Sequence, residues 1–197
     1  MKKILVVGAS GLIGGVVAEA LEDGHEVIRS SRSTGERVNL TDRSSVAQLF
    51  ERIGEVDAVV SCTGAVAFKP LAELSADDYR SGFEDKVLGQ VNLVIGGTAH
   101  VRDGGSFTLT SGVLAREPIA TGAAASMANG ALESYVMAAA TELPRGIRIN
   151  AISPSVILEA EGYHASFPGF PLTPVAEVAR VVLRSVDGVE TGRTFSI

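Results

Sequence analysis

Residues 3–32 read KILVVGASGLIGGVVAEALEDGHEVIRSSR, and their pattern decides the fold. Lys3 to Val7 is a short apolar run rich in β-branched residues, the signature of a strand buried on both faces. Gly8-Ala9-Ser10-Gly11 breaks it. Leu12, Ile13, Val16, Val17, Ala20 and Leu21 then recur at helical spacing until Gly24 stops the helix, and His25 to Ser30 restores a strand. Strand, glycine turn, helix and strand make a βαβ unit of the kind that holds a dinucleotide at its turn.

Each glycine of this G-x-x-G-x-x-G motif has a mechanical task. Gly8 allows the tight turn off the strand, Gly11 lets the backbone come close to a pyrophosphate, and Gly14 lets the helix pack closely on the sheet. The helix N-terminus then offers free N–H groups and a positive dipole end to the phosphates. An acid at the end of the second strand would hold a ribose 2′-hydroxyl, whereas an arginine there accepts a 2′-phosphate. The chain has Ser30, Ser31, Arg32 and Ser33 at that point, with no acid among them. Guanidinium and hydroxyls hold a phosphate through charge-assisted hydrogen bonds, so NADP(H) is expected rather than NAD(H).

Composition narrows the class. The 197 residues show no repeat, linker or change of composition, and 46% are hydrophobic, enough for the core of one domain. A net charge of −6 argues against a nucleic-acid surface. The lone Cys62 excludes an intrachain disulfide framework and suits a reducing compartment. No stretch has the length of a membrane span, and Met1-Lys2-Lys3 leads straight into a strand, so a cytoplasmic protein is expected. No cluster of His, Cys or carboxylates has metal-ligand spacing, and no metal is expected.

Further along, only five residues separate Arg32 from Val38, too few for a crossover helix. A third strand is expected near Arg37–Asn39, with Asn39 and Leu40 beside an adenine, and then a helix from Asp42 to Ile53 capped by Thr41. Val56–Ser61 reads as the fourth strand, leaving through Cys62-Thr63-Gly64-Ala65. Ser75 opens a long helix to about His100, Gly104-Gly105 turns into a strand over Ser106–Thr110, and Ser111-Gly112 follows. An alanine-rich helix spans 122–143 and a sixth strand Ile147–Ile152. After a loop over 156–173, a last helix from Thr173-Pro174 runs to Ser185, and a final strand covers Arg193–Ile197. Regular alternation implies a Rossmann-like, doubly wound parallel sheet of about seven strands in one α/β domain.

Six segments in order give the chain a family likeness: GASGLIG at 8–14, NLTD at 39–42, CTGA at 62–65, TLTSG at 108–112, RGIRINAISPS at 145–155 and TGRTF at 191–195. In these the chain resembles the short-chain dehydrogenase/reductase family over nearly its whole length. The resemblance implies a cofactor site built on Gly8, Ser10, Gly11, Leu12, Ile13, Gly14, Ser31, Arg32, Ser33, Asn39, Leu40, Cys62, Thr63, Gly64, Pro154 and Ser155. It also implies pairing into a dimer or tetramer through the helices at 75–100 and 122–143.

The family's chemistry uses a tyrosine and a lysine four residues apart, a serine that fixes the substrate oxygen, and an asparagine on the preceding helix. Ser111 matches the serine, but Ala125 falls at the tyrosine position, Asn129 at the lysine position, and Lys86 where the asparagine is expected. Tyr135 lies ten residues past Ala125, about 15 Å along a helix, and cannot substitute. Lys86 is the candidate replacement acid beside Ser111, because a desolvated lysine has a lowered pKa. Tyr163 and His164, in the loop that covers the substrate in the family, are further polar candidates. Two functions stay open: an NADP(H)-dependent oxidoreductase of a small, apolar carbonyl or alcohol with a rebuilt proton-transfer site, or a catalytically inactive NADP(H)-binding sensor or interaction protein.

Overall fold

A computed structural model describes all residues, Met1–Ile197. Its first unit is strand β1 (Lys3–Val7), helix α1 (Leu12–Glu22) and strand β2 (Glu26–Ser31). Along β1, Leu5 and Val7 enter one core while Ile4 and Val6 enter the other, so a continuous apolar run serves two faces at once. The remaining elements are β3 (Glu36–Arg37), α2 (Arg43–Ile53), β4 (Val56–Ser61), α3 (Ala76–Gly82), α4 (Gly89–Gly97), β5 (Val101–Thr110), α5 (Ala123–Ala139), β6 (Arg148–Ser153), β7 (Val156–Ile157), β8 (Leu172–Thr173), α6 (Val175–Asp187) and β9 (Thr194–Ser196).

Seven strands form one parallel sheet in the order β3-β2-β1-β4-β5-β6-β9. One core, including Phe50, Leu93, Phe107 and Leu132, lies under α2, α4 and α5; the other, including Val17, Leu21, Val178 and Val182, lies under α1 and α6. The order reverses at β1, which pairs β2 on one side and β4 on the other, with Leu5 opposite both Ile28 and Val59. A crevice opens at the carboxyl ends of the strands at such a reversal. No helix is long and apolar enough to cross a membrane.

Several boundaries differ from the sequence reading. The crossover from β2 to β3 has no helix, as expected, but β3 is Glu36–Arg37 rather than Arg37–Asn39. The cap of α2 is Asp42, whose carboxylate accepts from the Ser44 N–H at 2.9 Å, so Thr41 stands outside it. Ser75 does cap its helix, through a capping box with Asp78. That helix does not run evenly to His100. It widens into a π turn at Phe83–Leu88 and ends at Gly97. Strand β5 begins at Val101, and Gly104-Gly105 forms a bulge inside it, because Val56 pairs Val101 while Ala58 pairs Ser106. The 156–173 loop holds a short parallel pair, β7 with β8. Gly24 adopts no left-handed conformation, and α1 ends just before it, at Glu22 with Asp23 as its C-cap.

The glycine motif is tight for packing reasons. Gly8 has φ of +86°, and a Cβ on Gly14 would lie 2.2 Å from the Gly8 carbonyl oxygen. Both neighbours are backbone, so neither can move aside. Gly130 on α5 meets nothing within 4 Å. We therefore expect Gly14→Ala to destabilise the chain by about 1–3 kcal/mol, as overpacking does. Gly130→Ala should stabilise it by up to about 1 kcal/mol through helix propensity. Paired denaturant melts check the opposite signs.

Candidate active site

The crevice at the β1–β4 reversal holds two joined cavities. The first, about 320 Å³, is lined by Gly8, Ser10, Gly11, Ser31, Arg32, Ser33, Asn39, Leu40 and Asp85, among others. The second, about 380 Å³, runs from Ile13 past Lys86, Ser111, Ala125 and Asn129 to Pro154, Ser155, Tyr163 and Phe167. Cys62, Thr63, Gly64 and Ala65 line both, so the two form one groove along the carboxyl edge of the sheet.

At one end stands Arg32, exposed and in no ion pair of the structure. Ser33 lies beside it. Ser31 plays a different part from the one expected: its hydroxyl is engaged by Thr34 and accepts from the Thr34 N–H at 2.8 Å, so it shapes the turn that presents Arg32. Asn39 Oδ1 is likewise taken by the Thr41 N–H and hydroxyl. Helix α1 starts at Gly11 with no side-chain cap, leaving its first-turn N–H groups free at the middle of the groove. Leu12 is exposed and Gly14 buried, and neither lines these two cavities; Gly14 serves the close packing of α1 on the turn.

Lys86 is set by the π turn. Gly64, at φ of +118°, faces the lysine stem so closely that a Cβ there would sit 2.4 Å from Lys86 Cγ. The lysine is 8% exposed, and its Nζ donates to the Ser111 carbonyl at 3.3 Å, with no carboxylate within ion-pair distance. Burial lowers its pKa to about 8, only partly offset by Asp85. Asp85 instead accepts from the Ala65 N–H and fixes the loop between the cavities. Burial pushes the Cys62 thiol up to about 12, so it behaves as a small lining residue rather than a thiolate.

Ser111 Oγ lies 2.7 Å from Glu133 Oε1 and 3.3 Å from the Asn129 carbonyl, and no tyrosine hydroxyl is among its partners. Ala125 and Asn129 line the same cavity as Ser111. Asn129 Oδ1 and Ser155 Oγ are buried with no hydrogen-bond partner. Tyr163 reaches the cavity but packs on Phe68, ring centroids 6.0 Å apart, and His164 Nε2 lies 3.1 Å from the Ile157 carbonyl. Glu133 and Arg116 were invisible to sequence reasoning, and Ser153 stood only as part of the RGIRINAISPS segment. They form a chain, Arg116 to Glu133 at 2.5 Å and Arg116 to Ser153 at 2.7 Å, across segments with no shared motif.

A family model described as enoyl-(acyl carrier protein) reductase matches residues 11–184. An uncharacterized oxidoreductase of Methylorubrum extorquens is 29% identical over 190 residues, covering 84% of this chain and 76% of that one. A hydroxynaphthalene reductase-like protein of Metarhizium brunneum is 29% identical over 158 residues, 75% of this chain and 59% of its own length. The crystal structure of the protein lin1944 from Listeria innocua superimposes with a TM-score of 0.98 at 43% identity, over 100% of both chains. A small-chain dehydrogenase crystallised in complex with NADPH gives a TM-score of 0.88 at 26% identity, over 99% of this chain and 95% of that one. Matched over most of its length, and carrying this sheet order and this groove, the chain belongs to the short-chain dehydrogenase/reductase family of oxidoreductases.

Proposed function

We propose that the chain binds NADP(H) and acts as an oxidoreductase on a small carbonyl compound or alcohol. Its proton-transfer site departs from the family's tyrosine and lysine, with Ala125 and Asn129 in their places. The observation that carries this reading is the continuity of the groove from Arg32 to Lys86 and Ser111. Arg32 and Ser33 suit a 2′-phosphate, the α1 N-terminus a pyrophosphate, and the unpartnered Asn129 Oδ1 and Ser155 Oγ suit hydroxyl or amide hydrogens at the far end. The relative bound to NADPH supports the same cofactor class.

When bound, the nicotinamide supplies or accepts a hydride. The protein's share is positioning and charge. Lys86, itself nearly buried, presents an ammonium with no carboxylate partner to the cavity, where it opposes the negative charge that grows on a substrate oxygen and can give it a proton. Val113, Leu114, Ile157, Phe68 and Phe167 give that cavity apolar walls, which suit a small apolar substrate.

Exposed Leu88, Ile95, Met127 and Met137 lie along the π turn, α4 and α5, and we assign these helices to a homo-oligomeric interface. Light scattering at micromolar concentration should then give a multiple of the 20.4 kDa chain; the monomer mass would contradict it. For the cofactor, calorimetry should find NADPH bound at least about tenfold more tightly than NADH, or about 1.4 kcal/mol. Arg32→Ala should remove most of that gap, and equal affinities in the unaltered chain would end the assignment.

The acid role sets a pH dependence. Burial favours neutral lysine, so the ammonium is present below about 8 and lost above it. NADPH oxidation with a panel of carbonyl and quinone substrates should fall as pH rises through that value. Lys86→Met should cost about 10²–10⁴ in kcat/KM and abolish the alkaline limb. Tight NADPH binding with no turnover on any panel member would favour the non-catalytic role.

A further inference from the structure

A hydroxyl has one hydrogen to give, and the fold decides where Ser111 gives it. Ser111 is 4% exposed, and both acceptors near its Oγ, Glu133 Oε1 at 2.7 Å and the Asn129 carbonyl at 3.3 Å, belong to α5. Glu133 is held as a carboxylate acceptor by Arg116, whose Nη1 lies 2.5 Å from Glu133 Oε2. The second arm of the same guanidinium donates to Ser153 Oγ at 2.7 Å, anchoring Arg116 to the end of β6. The serine hydrogen is thereby committed away from the cavity.

We propose that Glu133, locked by Arg116, is a positioning residue that sets Ser111 as a hydrogen-bond acceptor, so that the site selects an alcohol hydroxyl over a carbonyl oxygen. The inference deepens the oxidoreductase reading above and rests on it for the site's use. Lys86 Nζ, hydrogen-bonded to the Ser111 carbonyl, lines the same cavity and can only donate. One donor and one acceptor lining the same small pocket complement an O–H group: it accepts from Lys86 and donates to Ser111. A carbonyl oxygen also accepts from Lys86, but it turns a lone pair on the lone pairs of Ser111 Oγ. A buried acceptor left without a donor is costly, on the order of tenfold in affinity or more. The apolar walls contribute equally to both ligands, so the difference between them isolates the serine.

Calorimetric titration of the full chain saturated with NADP+ tests this, with cyclohexanol and cyclohexanone as probes. Cyclohexanol should bind at least about tenfold more tightly than cyclohexanone, and Glu133→Leu should shrink the ratio to below about threefold, because Ser111 can then turn its hydrogen into the cavity. A thermal melt reports whether that variant folds. Ser111→Ala is the second variant, and it should erase the preference whatever happens to Glu133→Leu. A merely structural role for Glu133 would weaken both probes alike and leave their ratio unchanged, which would overturn the proposal. Equal binding in the unaltered chain, a preference for the ketone, or binding of neither probe would overturn it too. The same titrations without dinucleotide separate the two readings: failure to bind NADP+ with the alcohol preference intact would count against the cofactor assignment alone.

Discussion

The approach of α1 to the end of β1 is the constraint on which the rest depends. Two peptide units, at Gly8 and Gly14, occupy space that no Cβ can share. This contact points the open end of α1 into the crevice between β1 and β4, and it lets the Cys62 exit of β4 pass directly beneath the turn, where a Cβ on Gly8 would sit 2.3 Å from the Cys62 carbonyl oxygen. Sheet order then makes the position useful. Because β1 is flanked by strands that lead away in opposite directions, no crossover covers the strand ends there, and a ligand can lie along them.

From that crevice the groove extends over a region whose charges are arranged unusually. Lys86 is buried without a carboxylate, while Glu133 on the neighbouring helix takes a guanidinium from the surface and a hydroxyl from the site. A buried, unpaired ammonium is costly to maintain. It survives here because the π turn directs Lys86 against Gly64 and Ser111, where the cavity gives the charge access to a ligand or to solvent. The two residues divide the polarity of the site: Lys86 donates, and Ser111, tied by Glu133, accepts. Ala125 and Asn129 line the same cavity as these two residues.

The sequence by itself determined the alternation of strands and helices, the glycine turn, the strand β4 to the residue, the cap at Ser75 and the arginine at the end of β2. These are local properties: hydrophobic period, a capping side chain, a turn that needs glycine, all encoded within a few neighbouring residues. Only the tertiary structure decided what depends on partners distant in the chain. Gly104-Gly105 reads as a turn but becomes a bulge, because β4 supplies a strand to pair with. Ser31 reads as a phosphate ligand but closes its own loop through Thr34. Ser111 reads as the serine that fixes a substrate oxygen, yet its hydrogen goes to Glu133, 22 residues later, and Glu133 is held by Arg116 from another segment. A side chain's type fixes which hydrogen bonds it can make; which one it does make is settled by whatever the fold brings within about 3 Å.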